Sequence, residues 1–465
     1  MSKTAFICQS CGAQSRKWQG QCADCGDWNC ISEQRAITLP RGGKLTAGAS
    51  LNAALEVRPI TDIGREAHQR RSSGIDELDR VLGGGLVAAS AVLIGGAPGI
   101  GKSTLLLQAC SKLAMHQKVL YISGEESMEQ LRLRAERTES LHTNLSMAAG
   151  IELESILHTI ASEKPGVVVI DSIQTTVSAN LGSAPGTVSQ VRDCAAALIQ
   201  SAKQMGHVII LVGHVTKDGA LAGPRVLEHM VDCVLYFEGD RGHAHRILRA
   251  VKNRFGPAGE IGIFEMRDSG LYGVRDASRL FLGERSEPIS GSVVLSCMEG
   301  TRPLLVEVQA LVAPTVYATP KRSAVGVDPT RVAMLMAILE RRIGLPLAQQ
   351  DVYVNVAGGV RIAEPAADLA VMIAVISAWR DKPLSAALVM FGEVGLTGEV
   401  RAVNQPEGRA KEAAALGFDR ILLPKANMER VRKIGLGCKS DDGEKPITLV
   451  PASTLAQAVQ GVLKG

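Results

Sequence analysis

The sequence predicts an α/β protein whose main sheet is parallel and buried on both faces. A small separate module precedes that sheet, and a second α/β region follows it. Three observations lead there. From Gly74 onward, short continuous runs of Val, Ile and Leu alternate with helical stretches. One such run leads into a Gly-rich loop that opens a helix. Four of the ten Cys fall within the first 25 residues, a segment too short to bury a core of its own.

The composition sets the outer bounds. At about 150 residues per domain, 465 residues make two or three domains. Hydrophobic residues are 46% and charged residues 21%, which excludes a disordered chain or a rod. Aromatics are only 3%, so the cores must be aliphatic. The net charge is +4, so any nucleic-acid binding must come from local patches. The N-terminus MSKTAFICQSCG carries no apolar signal region, and the uncharged stretch Val81–Gly101 is broken by glycines and Pro98. The expectation is a cytoplasmic protein, with no membrane partner and with its Cys reduced or metal-bound.

The elements follow in order. Residues 1–30 form a four-Cys module, and 31–73 read as a polar linker with little fixed structure. The core spans 74–283. Its expected strands are Ala89–Ile94, Val119–Ser123, Val167–Ile170, Val208–Val212, Val234–Phe237 and Ile247–Val251. Its expected helices are Lys102–Met115 and Val188–Met205. In the last domain, 284–465, strands are expected at Val293–Leu295, Leu304–Leu311, Val352–Val356 and Ile421–Leu423. Asp328 caps a helix with Pro329 at its first position, running to about Ile343, and Ala366–Ala378 is an apolar helix.

Cys8 and Cys11 form one CxxC pair and Cys22 and Cys25 a second. Four thiolates at this spacing close a tetrahedral Zn²⁺ site, which would hold so short a module folded. Gly12 and Gly26 follow the pairs and permit the positive φ of a metal knuckle.

Gly96-Ala97-Pro98-Gly99-Ile100-Gly101-Lys102-Ser103-Thr104 carries the phosphate-loop pattern between a strand and a helix. Its backbone N–H groups and helix N-terminus suit the phosphates of ATP. Lys102 reaches the β- and γ-phosphates, and Ser103 ligates Mg²⁺. Asp171, ending the run Val167–Ile170, is the second Mg²⁺ position. Glu125 and Glu126 follow the preceding strand, and either could polarise the attacking water; Glu125, nearer the strand end, is the preferred base. The alternative for Glu126 is a solvated residue in the first turn of a helix. His214, at the end of Val208–Val212, is a candidate γ-phosphate sensor.

Ser73–Leu86 (SGIDELDRVLGGGL) resembles the opening segment of RecA/KaiC-type ATPase cores, and Lys252-Asn253-Arg254-Phe255-Gly256 resembles the signature pentapeptide of the RadA (Sms) family of bacterial DNA repair proteins. The order of parts is similar too: a zinc ribbon, a RecA-like parallel-sheet ATPase core, and an α/β Lon-protease-like tail. The resemblance implies a DNA-dependent ATPase and helicase: a DnaB-like hexameric ring on single-stranded and branched DNA, assisting the RecA recombinase in homologous recombination. It implies that Lys252 and Arg254, placed just past a strand, act on the neighbouring subunit's γ-phosphate. It also implies that Ser178–Gln190 and Thr216–Arg225 face DNA, with Lys217 and Arg225 as phosphate contacts.

The segment Glu364-Pro365-Ala366-Ala367-Asp368 matches the Lon nucleophile segment with Ala366 in the serine's place. Glu407 stands at the ungapped position of the Lon lysine, with Lys411 nearby. No base rescues an alanine nucleophile, so the tail is expected to be an inert protease fold serving assembly and DNA contact. The other classes weighed are a strand-exchange filament or mediator without helicase movement, an ATP-dependent protease, and a KaiC-like signalling ATPase.

Overall fold

The computed structural model describes residues 4–8, 14–15, 17–23, 26, 28, 31–35, 59, 61, 70–181, 184, 186–214, 226–239, 245–274, 276–282, 288–316, 319–436 and 447–463. The chain packs into two compact units, Met1–Val274 and Arg275–Gly465.

The first unit opens with a three-stranded antiparallel ribbon. Its central strand β1 (Thr4–Cys8) pairs with β2 (Gln14–Ser15) and with β3 (Ile31–Arg35). β3 corrects the expectation of an irregular linker from residue 31, since its five residues pair in register from Cys8↔Ile31 to Thr4↔Arg35. Its sequence ISEQR has one apolar residue, so pairing rather than pattern makes it a strand. Further on, β4 (Arg70–Arg71) pairs with β5 (Leu86–Val87), and helix α1 (Asp76–Leu82) lies between them in the chain.

The remaining strands of this unit are β6 (Ala91–Gly96), β7 (Val119–Ser123), β8 (Leu145–Ala149), β9 (Val167–Asp171), β10 (Val208–His214), β11 (Cys233–Glu238), β12 (His245–Asn253), β13 (Ile261–Arg267) and β14 (Gly270–Gly273). They form one nine-stranded sheet in the order β14-β13-β12-β11-β6-β10-β9-β7-β8. β6 to β11 run parallel, as expected. β12, β13 and β14 are antiparallel additions. A parallel crossover needs a dozen or more residues, and residues 239–244 between β11 and β12 are too few.

Every residue of β6, β7 and β9 is buried. Alternate side chains feed two cores: Val92, Ile94, Val167 and Val169 join one, and Ala91, Leu93, Val168 and Ile170 the other. Helix α2 (Lys102–Ala114) covers the first face through Leu105, Leu106, Ala109 and Leu113. The chain then forms α3 (Met128–Arg137), α4 (Leu153–Glu163), α5 (Val188–Met205) and α6 (Val226–Met230). On the second face α5 supplies Val191, Cys194, Ala195, Leu198 and Ala202, the i, i+3, i+4 stripe of an amphipathic helix. Truncating a fully buried side chain such as Leu198 to Ala would cost about 2–5 kcal/mol.

The second unit begins with α7 (Ala277–Phe281). The sequence placed the domain division at 283/284, but α7 belongs with the later residues: Ser278 Oγ donates to Glu412 Oε1 at 2.6 Å and accepts from the Leu305 N–H at 3.0 Å. The strands are β15 (Ser292–Glu299), β16 (Arg302–Pro314), β17 (Arg322–Val325), β18 (Gln350–Val356), β19 (Leu388–Met390), β20 (Glu393–Val394), β21 (Val400–Arg401), β22 (Arg420–Pro424) and β23 (Thr448–Ala452). Seven of them form a mixed sheet in the order β17-β18-β16-β15-β19-β22-β23, while β20 and β21 pair separately. Helix α8 (Pro329–Ile338) is capped by Asp328, whose Oδ1 accepts from the Thr330 N–H at 2.8 Å. It continues as a π-helical turn, Leu339–Ile343, which Gly344 ends at φ 76°. Helix α9 (Asp368–Arg380) is buried from Asp368 to Ser377, as its all-round apolar sequence requires. Among the described residues no helix is long and apolar enough to cross a membrane.

Candidate ATP site

The carboxyl ends of β6, β7, β9 and β10 deliver one cluster, at the edge where open α/β sheets bind ligands. The phosphate loop leaves β6 at Gly96 and enters α2 at Lys102. It turns through Gly99 at φ 75° and Gly101 at φ 116°, and a Cβ on Gly101 would meet Leu271 and Met266 at 2.9 Å. Only glycine fits there. Lys102 Nζ donates to the carbonyls of Gly96 at 2.8 Å and Ala97 at 3.1 Å, and lies 3.4 Å from His214 Nδ1. Burial lowers the Lys102 pKa, and the Asp171 and Glu125 carboxylates offset that only in part.

Glu125 faces the same space. Its Oε1 accepts from Ser172 Oγ at 2.6 Å and lies 2.8 Å from His214 Nε2. Burial pushes its pKa up, but the bonds from Ser172 and His214 and the charges of His214 and Lys102 outweigh it, so the carboxyl stays below its ordinary value. Glu126 goes elsewhere: its Oε1 is bonded by Arg134, on the next helix. The two neighbouring carboxylates are thus separated by their partners, a distinction the sequence left open.

Asp171 ends β9 with Oδ2 accepting from the Tyr121 hydroxyl at 2.5 Å. Ser103, the second residue of α2, and Asp171 both offer oxygen ligands, which fits a small hard cation such as Mg²⁺. Thr104 is the third residue of α2. Tyr121, Ser172 and Arg134 were not singled out from sequence; Ser172 directly follows Asp171, and that adjacency was the available signal.

The pentapeptide does not join this cluster. The strand runs to Asn253, so Lys252 lies inside it rather than beyond it, opposite Val234. Val234 is itself paired with Leu93, well back from Gly96 at the amino side of the sheet. Lys252 Nζ donates to the carbonyls of Glu228 at 2.7 Å and Val231 at 2.8 Å. Asn253 Nδ2 donates to the Val81 carbonyl at 3.4 Å, and Arg254 pairs with Asp232 at 3.3 Å. The Phe255 carbonyl accepts from Arg70, and a Cβ on Gly256 would lie 3.0 Å from Gly83 Cα. The whole pentapeptide is therefore stitched to its own chain.

Of the loops expected to face DNA, the first is anchored at its start: Ser178 Oγ and Asn180 Nδ2 both donate to Glu154 Oε1, at 2.5 and 2.9 Å. Its last residues, Val188–Gln190, belong to α5. Thr216–Arg225, with Lys217 and Arg225, lies outside the described residues.

In the ribbon, Cys8 ends β1, Cys22 is buried, and the Gly26 N–H closes a turn onto the Cys22 carbonyl at 2.9 Å with Gly26 at φ 76°. The positive φ of Gly26 is the one expected from the sequence, and Gly12 lies outside the described residues. Cys11 and Cys25 lie outside the described residues.

In the second unit, Ala366 is buried and its carbonyl accepts from the Gly392 N–H at 2.9 Å. Glu407 pairs with Arg430 at 2.7 Å. Arg409 is fully buried, bonding Glu364 Oε2 at 2.5 Å and the Ser296 carbonyl at 2.6 Å.

Fold and site together define a phosphate-loop ATPase of RecA-like architecture, with a zinc ribbon before it and a Lon-protease-like α/β domain after it. Family models agree: an AAA domain matches residues 63–220, a rubredoxin metal binding domain 6–33, and subunit ChlI of Mg-chelatase 320–427. The DNA repair protein RadA of Listeria monocytogenes is 53% identical over 91% of this chain and 92% of its own length. The RadA of Bacillus subtilis is 49% identical over 100% and 99%, and that of Escherichia coli 48% over 93% and 95%. The chain belongs to the DNA repair protein RadA family.

Proposed function

We propose that the chain is an ATP-driven DNA motor: a hexameric ring that moves on single strands, opens branched recombination intermediates and aids RecA-mediated branch migration. The observation that carries this reading is the linked set Lys102–His214–Glu125 at the carboxyl edge of a RecA-like sheet, in a family named for DNA repair.

Lys102 and the loop amides hold the β- and γ-phosphates. Ser103 and Asp171 would hold Mg²⁺, which would supply positive charge against the phosphate oxygens. Glu125, ionised and aimed by Ser172 and His214, orients and deprotonates the attacking water. When the γ-phosphate draws Lys102 forward, the Lys102–His214 contact breaks, and His214 passes that change along β10 to the loop beyond it. Lys252 stands at the far edge from its own phosphate loop, which supports action on a neighbouring subunit; to act there it must leave its carbonyl partners. The second unit, with alanine in the nucleophile's place, serves ring assembly and DNA contact and hydrolyses no peptide.

Fork unwinding with ATP, scored beside single-strand-stimulated ATP hydrolysis and negative-stain images, tests the motor. Rings that hydrolyse ATP and unwind forks are expected. Hydrolysis without unwinding would replace the motor by a recombination mediator, and casein digestion would overturn the inert tail.

A further inference from the structure

Tyr121 is the one fully buried tyrosine among the described residues. It sits on β7 opposite Val169, and its ring reaches along the strand toward Asp171. The surrounding core is aliphatic, with Val119, Val169 and Cys110 in the same cluster. A leucine would fill such a place without burying a hydroxyl, which costs free energy unless it is bonded. Here the hydroxyl is bonded: it donates to Asp171 Oδ2 at 2.5 Å. Asp171 Oδ1 has no protein hydrogen-bond donor among the described residues.

We propose that Tyr121 is a positioning residue for the nucleotide-bound cation: it takes one oxygen of Asp171 and leaves the other free to turn toward the metal. This rests on the ATPase reading and adds to it a group that holds the carboxylate ligand of the cation from behind. Carboxylates that ligate metals are themselves held by hydrogen bonds, and losing that layer typically costs about 10- to 100-fold in metal affinity.

The probe is Mn²⁺ binding to the ADP-loaded full-length protein, read by electron paramagnetic resonance, so that no turnover is involved. Tyr121→Phe keeps the ring and removes the hydroxyl. Its Mn²⁺ dissociation constant is expected to rise about tenfold or more, while ADP binding in EDTA stays at the wild-type value. In ATPase assays the KM for Mg²⁺ should rise and kcat recover at saturating Mg²⁺. A Mn²⁺ affinity equal to wild type, or parallel losses of metal and metal-free nucleotide binding, would overturn the proposal. A second measurement needs no substitution to fold. The sequence has 5 Tyr, so 3-fluorotyrosine labelling gives few fluorine resonances. The buried one should shift when Mg²⁺ joins the ADP-loaded protein, and its staying fixed would also overturn the idea. Failure of the wild type to bind ADP would sink the ATPase reading itself.

Discussion

His214 Nε2 lies 2.8 Å from Glu125 Oε1, and the other nitrogen of the same ring lies 3.4 Å from Lys102 Nζ. One imidazole ring thus lies between Lys102 and Glu125.

Glu125→Gln should keep nucleotide binding and lose hydrolysis by about 10²- to 10⁴-fold, the span of a general base. Glu126→Gln should leave turnover near wild type, because its partner is Arg134. Steady-state ATPase and fluorescent-nucleotide binding check both, and the reverse ranking would move the base to Glu126.

Lys102→Ala and Lys252→Ala should complement each other in mixed rings. Some interfaces then pair an intact phosphate loop with an intact Lys252 and regain hydrolysis. Loss of a trans cation costs about 10³ to 10⁵ in rate, so partial rescue is measurable. Absence of rescue in rings verified as mixed would leave Lys252 as the fastener of the carbonyls of Glu228 and Val231.

Cys22→Ser should abolish zinc in metal analysis and leave basal ATPase largely intact, because the ribbon and the ATP cluster share no residue. Wild-type protein without zinc would refute the ribbon's metal role.

His207 is 2% exposed, and neither ring nitrogen finds a hydrogen-bond partner in the structure. Burial lowers its pKa below the ordinary value near about 6.5. Above that ordinary value both folded and unfolded states are neutral and the His207 contribution is level. As pH falls below it, the unfolded chain takes a proton that the folded chain refuses. Stability then drops by at most about 1.4 kcal/mol per pH unit until the lowered folded pKa is reached. His207→Leu should flatten urea-unfolding stability as pH falls below about 6.5. An unchanged pH slope in that variant would count against it.

Arg409→Met should destabilise the second unit by about 3–5 kcal/mol, because it strands the carboxylate of Glu364 without its buried partner. Replacing both residues with apolar ones should recover part of the loss. Calorimetry decides, and equal melting of single and double variants would sink the claim.

Local pattern carried most of the fold. The strand Val119–Ser123 and the helix Val188–Met205 lie where the apolar periodicity put them. The phosphate loop was legible because its glycines must take positive φ and its lysine must follow them. β3 and β8 were not, since ISEQR and LSMAA lack a strong apolar run and become strands by pairing with β1 and β7. Tyr121 escaped notice for a related reason. A tyrosine in a buried strand looks like packing until the strand beyond it is seen to end in Asp171.

The sequence by itself determined the family, the order of the parts and the chemistry of the phosphate loop, since motifs are set by backbone constraints local to a few residues. Tertiary structure alone decided which of Glu125 and Glu126 lies beside His214 and Ser172, that Lys252 is bonded at the opposite edge of the sheet, and that Asp171 is held by Tyr121. Those are contacts between strands distant in the chain, and the register of the assembled sheet fixes them.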